Sequence, residues 1–169
     1  MTRSPPDITI RSATAEDAAE VARIYNPYVE ETVITFEEEP VSPAEMARRI
    51  AEVQDASLPW LVAEAPGRLA GYAYAARWKT RASYRFSVEI TVYVAGAEVG
   101  RGVGVALYET LFPALKARNV HAVMAGIALP NDPSIRLHER FGMQKVAHFQ
   151  EVGLKLGRWV DVAYWERTL

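Results

Sequence analysis

The chain has 169 residues, half of them hydrophobic and 24% charged, with a formal net charge of −2 and no cysteine. That size and balance predict one globular domain over 1–169, with a core large enough to need no metal or disulfide staple. Disulfides, thiolate metal sites and an acyl-cysteine intermediate are excluded, and the slight negative charge argues against binding nucleic acid chiefly by neutralising phosphates.

The first ten residues, MTRSPPDITI, hold no apolar leader core, and no window approaches a membrane span. A cytosolic location with no membrane partner is therefore expected. A short strand in DITIRSA ends where Thr14 and Asp17 are placed to cap a helix that carries Ala18, Val21, Ala22 and Tyr25 at core spacing. SPAE at 42–45 announces a second helix: Ser42 as N-cap, Pro43 at the first position and Glu45 closing a capping box. Met46, Ile50 and Val53 form its apolar stripe. WLVAEA and LAGYAYAA, joined at Pro66, Gly67 and Arg68, read as a β-hairpin. In SVEITVYV (87–94), Val88, Ile90, Val92 and Val94 alternate with Ser87, Glu89, Thr91 and Tyr93, so a strand with one apolar and one polar face is expected. EVGRGVG follows, then a helix over 105–119, VALYETLFPALKARN, in which Pro113 predicts a bend or a disturbed turn. HAVMAGIAL reads as a buried strand, and LPNDPSIRLHERFGM as a turn, a short helix and a stop at Gly142. The tail reads as two strands around a turn near Gly157. The order β-α-α-β-β-β-α-β-α-β-β predicts an α/β (α+β) fold with a mixed, mostly antiparallel sheet flanked by helices.

A strand, a glycine-rich turn and a helix N-terminus together can hold an anion, because unpaired first-turn N–H groups and the helix dipole face the ligand. VGRGVG at 99–104 is not a nucleoside-triphosphate loop, since no Lys-Ser or Lys-Thr follows the glycines. A dinucleotide fingerprint also fails: counted from Gly102 its third glycine would be Leu107, and from Gly100 it would be Val105. Taken alone, the stretch reads equally as a tight turn.

In its place after a strand and before a long helix, VGRGVG resembles the R/Q-x-x-G-x-G/A loop that cradles the coenzyme A pyrophosphate in the GNAT acetyltransferase superfamily. NDPSIRLHERFGM resembles the second signature of that superfamily. YNPYVEETVITFEEEP, GYAYAARWKTRASYRFSVEITVYV, LPNDPSIRLHERFG and GRWVDVAYW, spread over nearly the whole chain, look like its phosphinothricin/methionine sulfoximine N-acetyltransferase branch. The resemblance implies a sheet splayed at the central strand, acetyl-CoA as cosubstrate with no metal, and direct transfer of acetyl to the α-amine of a small amino-acid-like compound. A homodimer is usual in the branch. Other amine acceptors (a polyamine, an aminoglycoside or a protein N-terminus) and a non-catalytic acyl-CoA sensor are the alternatives. The basic stretch 77–85 disfavours polyamines, and the retained Glu89 speaks against a sensor.

The attacking amine must lose a proton, and Glu89, on the polar face of its strand and at the acidic position of the branch, is the candidate base. An unperturbed Glu titrates near 4.3, so this needs burial or a relaying water. The resemblance places oxyanion donors on the backbone N–H groups of Val92, Tyr93 or Val94, along which the pantetheine would pair. It places His138 where many relatives have Tyr, as the acid that protonates the leaving thiolate. Gly100, Arg101, Gly102, Val103, Gly104 and Val105 would surround the pyrophosphate, with Arg101 adding a cation and Val99 standing where the superfamily has Gln or Arg. Asn131 matches the pantetheine-binding Asn, or is a turn residue. Ser134 is a cap or a cofactor contact, and Arg140 a second cation near the cofactor. At the acceptor end, Lys79, Arg81 and Arg85 crowd Trp78 and suit an acceptor's carboxylate or phosphinate, with Lys79 where relatives commonly have Arg. Phe36 and Thr91 are further candidates there, Phe36 reading equally as core. Trp159, Asp161 and Trp165 are assigned to structure or to a dimer interface.

Overall fold

A computed structural model describes residues 7–169; the N-terminal stretch read for a leader lies mostly outside them, in 1–6. The strands are β1 (Thr9–Ser12), β2 (Trp60–Ala65), β3 (Arg68–Arg77), β4 (Ser87–Val94), β5 (Ala122–Ala128), β6 (Gln144–Lys155) and β7 (Arg158–Thr168). The α-helices are α1 (Ala18–Glu31), α2 (Pro43–Asp55), α3 (Val103–Lys116) and α4 (Asp132–Arg140). One seven-stranded sheet runs β1-β2-β3-β4-β5-β7-β6, antiparallel throughout except between β4 and β5. Element order and sheet type are those expected.

Alternation along β4 sends its side chains to two cores. Val88 and Ile90 join α3 and β5 around Leu107, Leu111 and Val123, while Tyr93 packs on the opposite face against the cluster built from α1 and α2. Trp165 is buried in the first core, whereas Trp159 is 62% exposed, so only the former is a core residue.

The two halves of the sheet part company at β4. β4 pairs with β5 only from Ser87–Ala122 to Glu89–Met124. Beyond that point β4 stays paired to β3 as far as Val94–Gly71, and β5 stays paired to β7 as far as Ala128–Val162. Each strand keeps its antiparallel neighbour, so the opening exposes one edge of β4 from Ile90 onward.

Two local expectations are corrected. Ser42 Oγ accepts from the Glu45 N–H at 3.1 Å, but the Glu45 carboxylate does not return to close the box. Arg48 and Arg49, one turn on, capture it at 2.8–2.9 Å. The long helix begins two residues early, inside the glycines, with Gly102 as its N-cap at φ 85°, and ends at Lys116. Pro113 sits within it, its carbonyl still accepting the Ala117 N–H at 3.0 Å. The Thr14–Asp17 cap does form: Asp17 accepts from the Thr14 N–H at 2.8 Å and is clamped by Arg11.

Candidate active site at the sheet opening

Glu89 is the last residue of β4 paired to β5, so its side chain stands at the apex of the opening. The backbone N–H of Gly126 on β5 and the hydroxyl of Tyr164 on β7 lie on its side and favour the charged carboxylate. Burial pushes the Glu89 carboxyl above its ordinary range; the polar groups of Tyr164 and Gly126 and the nearby Lys79 cation pull it partly back. A carboxylate desolvated in this way is a better base than a solvated one.

Tyr164 lies across β5 from Glu89 because Gly126 leaves room for it. A Cβ on Gly126 would come within 2.9 Å of the Tyr164 ring. The ring is held by Trp78 edge-on at 5.4 Å and by Phe149 at 6.1 Å between centroids. Neither Gly126 nor Tyr164 is among the residues the sequence reading selects. The only sequence signal for them is the glycine in an otherwise apolar strand and the tyrosine in VAYW.

A cavity of about 670 Å³ fills the opening. Glu89, Thr91, Val92, Tyr93 and Val94 form one wall, and Val99, Gly100, Gly102, Val103, Gly104 and Val105 another. Asn131, Ser134, His138 and Arg140 close it from the α4 side. The first bond of α3 runs from the Ala106 N–H to the Gly102 carbonyl at 3.0 Å, so the amides before it in the first turn are free of helical acceptors. The Gly102 backbone is left-handed, and a Cβ there would meet no atom within 4 Å, so the loop is bare toward the cavity. A bare loop, free amides and an unpaired strand edge facing one elongated cavity suit a diphosphate followed by an amide-bearing arm, which is the chemistry of coenzyme A.

The α4 residues are placed differently from expectation. Asn131, not Ser134, is the N-cap: its Oδ1 accepts the Ser134 N–H at 3.3 Å. His138 is buried, with Nδ1 2.7 Å from the Ser134 carbonyl and Nε2 2.8 Å from the Tyr108 hydroxyl. A carbonyl can only accept, so Nδ1 carries the proton and Nε2 accepts from Tyr108. Burial lowers the His138 pKa, and the neutral ring has no spare N–H for the cavity, unlike the acid expected at this position. Arg101 does not border the cavity. It turns away to Glu98, 2.7 Å distant, so the cation expected beside the pyrophosphate is already engaged.

A second cavity, of about 360 Å³, lies between the sheet and the α1–α2 connection and shares Thr91 and Tyr93 with the first. Phe36 and Thr35 line it, together with the Arg49–Glu37 ion pair at 2.7 Å. Phe36 also packs on Gly153 of β6, which has no room for a side chain. Trp78, Lys79, Arg81 and Arg85 line neither cavity: Lys79 lies over the Trp78 ring at 4.8 Å and Arg85 over Phe86 at 4.6 Å. Among the described residues, no group of three or more His, Cys, Asp or Glu is placed to hold a metal, and no helix is long and apolar enough to cross a membrane.

Residues 10–164 match the family model of the acetyltransferase (GNAT) domain. The chain is 43% identical to a phosphinothricin N-acetyltransferase of Streptomyces viridochromogenes, over 95% of this chain and 87% of that protein. It is 33% identical to an L-methionine sulfoximine/L-methionine sulfone acetyltransferase of Salmonella typhimurium, covering 96% and 95% of the two chains. Among solved structures it resembles a GNAT superfamily phosphinothricin acetyltransferase from Sinorhizobium meliloti in complex with AcCoA, with a TM-score of 0.92, 36% identity and coverage of 96% and 88%. Splayed sheet, bare loop and matched sequence agree: the chain belongs to the GNAT acetyltransferases.

Proposed function

We propose that this chain is a single-domain, cytoplasmic N-acetyltransferase that moves acetyl directly from acetyl-CoA to the α-amine of a small amino-acid-like acceptor of the phosphinothricin, methionine sulfoximine or methionine sulfone type. The observation that carries this reading is the Glu89 carboxylate at the apex of the opening, on the strand whose Thr91 and Tyr93 line both cavities. Bound acetyl-CoA supplies an acyl thioester, whose thiol is a fair leaving group at a pKa near 8.5. Glu89 takes the proton of the acceptor's ammonium, directly or through one water, and the freed amine attacks. The unpaired edge of β4, at the N–H groups of Val92, Tyr93 or Val94, donates to the carbonyl oxygen as charge develops there. In this reading His138 positions α4 through Ser134 and Tyr108, and the thiolate leaves without its help.

The acceptor enters from the Phe36 and Thr91 side. Lys79, Arg81 and Arg85 stand outside both cavities and set a positive field for an anionic acceptor. Val146, Phe149, Val152 and Leu154 of β6, Leu156 of the following turn and Trp159 of β7 are about half exposed or more. Apolar exposure of that extent supports a homodimer.

The test follows CoA release with phosphinothricin, methionine sulfoximine, methionine sulfone and polyamines as acceptors. Turnover with the amino acids and none with polyamines is expected; no turnover with any amino acid overturns the acceptor class. Glu89→Gln should lower kcat by roughly a hundredfold or more, as loss of a general base does, while acetyl-CoA binding stays near wild type.

A further inference from the structure

The turn that leads into the glycines carries a buried carboxylate. Glu98 is only 1% exposed, yet it is charged and sits against the cofactor cavity. It is bound on one side by Arg68, at 2.5 Å, from the first residue of β3, and on the other by Arg101, at 2.7 Å, from the glycine loop itself. Its backbone belongs to the same device: the Glu98 N–H donates to the Ala95 carbonyl at 2.8 Å, and the Glu98 carbonyl accepts from the Arg101 N–H at 3.3 Å. Arg68 holds the Glu98 carboxyl below its ordinary range, with Arg101 adding to the effect, so it stays ionised. Neither arginine borders the cavity.

These contacts tie a loop with two left-handed glycines, Gly100 and Gly102, to the end of the β2–β3 hairpin. Such a loop has much backbone freedom to lose on ligand binding. Val99, 52% exposed, offers no polar side chain of its own. We propose that Glu98, with Arg68 and Arg101, is a positioning residue for acetyl-CoA: it fixes the loop amides before the ligand arrives and touches no ligand atom. The inference rests on the reading of the larger cavity as the acetyl-CoA site.

Electrostatics alone makes the opposite forecast, which is what makes the idea testable. One carboxylate between two guanidinium groups carries a net +1. Glu98→Gln raises this to +2, and a field acting on the polyanionic cofactor would then bind it more tightly. A pre-positioned loop binds it more weakly. Arg68→Gln removes the contact from the hairpin side at a half-exposed residue, so this variant is expected to fold. The experiment titrates the purified protein with CoA by calorimetry and measures KM for acetyl-CoA and for the acceptor.

Both variants should weaken CoA by about tenfold, as expected for residues coupled to a site through a network. They should raise KM for acetyl-CoA and leave kcat and the acceptor KM within about twofold. Unchanged or tighter CoA binding by Glu98→Gln overturns the inference, as does a fall in kcat that matches the loss in affinity. Gly102→Val separates the two layers. If it too binds CoA as wild type does, the cavity assignment fails; if it loses CoA while Glu98→Gln and Arg68→Gln keep it, only the positioning role fails.

Discussion

Replacing Gly126 by alanine tests the contact that aims Glu89. The new methyl would lie 2.9 Å from Tyr164 Cζ and 3.1 Å from its Cε1 and hydroxyl oxygen. It meets the body of a ring held by Trp78 and Phe149, not the tip of a flexible chain. Relief requires β5 and β7 to separate locally or the ring to turn off Glu89. Overpacking of this kind costs about 2 kcal/mol, which lowers Tm by roughly 4–8 °C for a chain of this length. The hydroxyl that favours the charged Glu89 carboxylate would also be displaced. A hydroxyl facing a charged group contributes more than one facing a neutral group, but Glu89 and Tyr164 are only half-buried, so about 1 kcal/mol is the appropriate figure. That corresponds to roughly fivefold in kcat/KM. Tyr164→Phe should give the same fivefold loss without the fall in Tm. The double variant should lose no more activity than either single one, because both act through one contact. Thermal unfolding by circular dichroism and acetyl-transfer kinetics on the four proteins read both quantities. Additive activity losses, or a Gly126→Ala protein with wild-type Tm and rate, would refute the reasoning.

Gly102→Val should abolish detectable acetyl-CoA binding, because a β-branched residue at φ 85° is strained and its side chain would project into the open space before the loop amides. Val99→Gln should change CoA affinity by less than about twofold if backbone groups do the holding, and a large gain would show that a side chain at this exposed position matters. For pH, burial favours the neutral Glu89 carboxyl, so its native pKa lies above 4.5 and the linked stability is present at low pH and lost as pH rises through that pKa. Activity has the opposite sense: the base exists only above that pKa. Because Glu89 takes the proton from the ammonium itself, log(kcat/KM) should be level below the amine pKa and turn down with unit slope on the acid side, at the raised pKa of Glu89. Lys79→Met, which removes an opposing cation, should move the break upward, and Glu89→Gln should erase it.

Much of the fold is legible because it rests on local periodicity. The alternation in β4 marks its ends and its two faces, and Ser42-Pro43 marks the start of α2 correctly. The second half of the capping box was not legible in the same way. Glu45 has two arginine competitors on its own helix, and a charged pair in water outcompetes one more bond to a terminal amide. The start of α3 differs for a related reason: glycine after glycine reads as loop, yet Gly102 serves as the left-handed N-cap, and Gly104 stands inside the helix where Leu137 of α4, 3.0 Å from the place of a Cβ, leaves little room for a side chain.

The candidate site divides along the same line. By itself the sequence determined which strand carries the carboxylate and which glycines end at a helix, since each depends on residue type and spacing within one segment, and the absence of cysteine closes an acyl-cysteine route. Only the tertiary structure decided what those residues touch. Arg101 faces Glu98 and not the cavity, His138 is held as an acceptor by Tyr108, and Tyr164 reaches Glu89 across Gly126. Tyr108 and His138 lie on different helices, Tyr164 and Glu89 on different strands, and the Glu98 that engages Arg101 is held as well by Arg68 of β3. Proton position, charge and direction at a site follow from desolvation and from hydrogen bonds between elements, and neither is written into the spacing of residues along a chain.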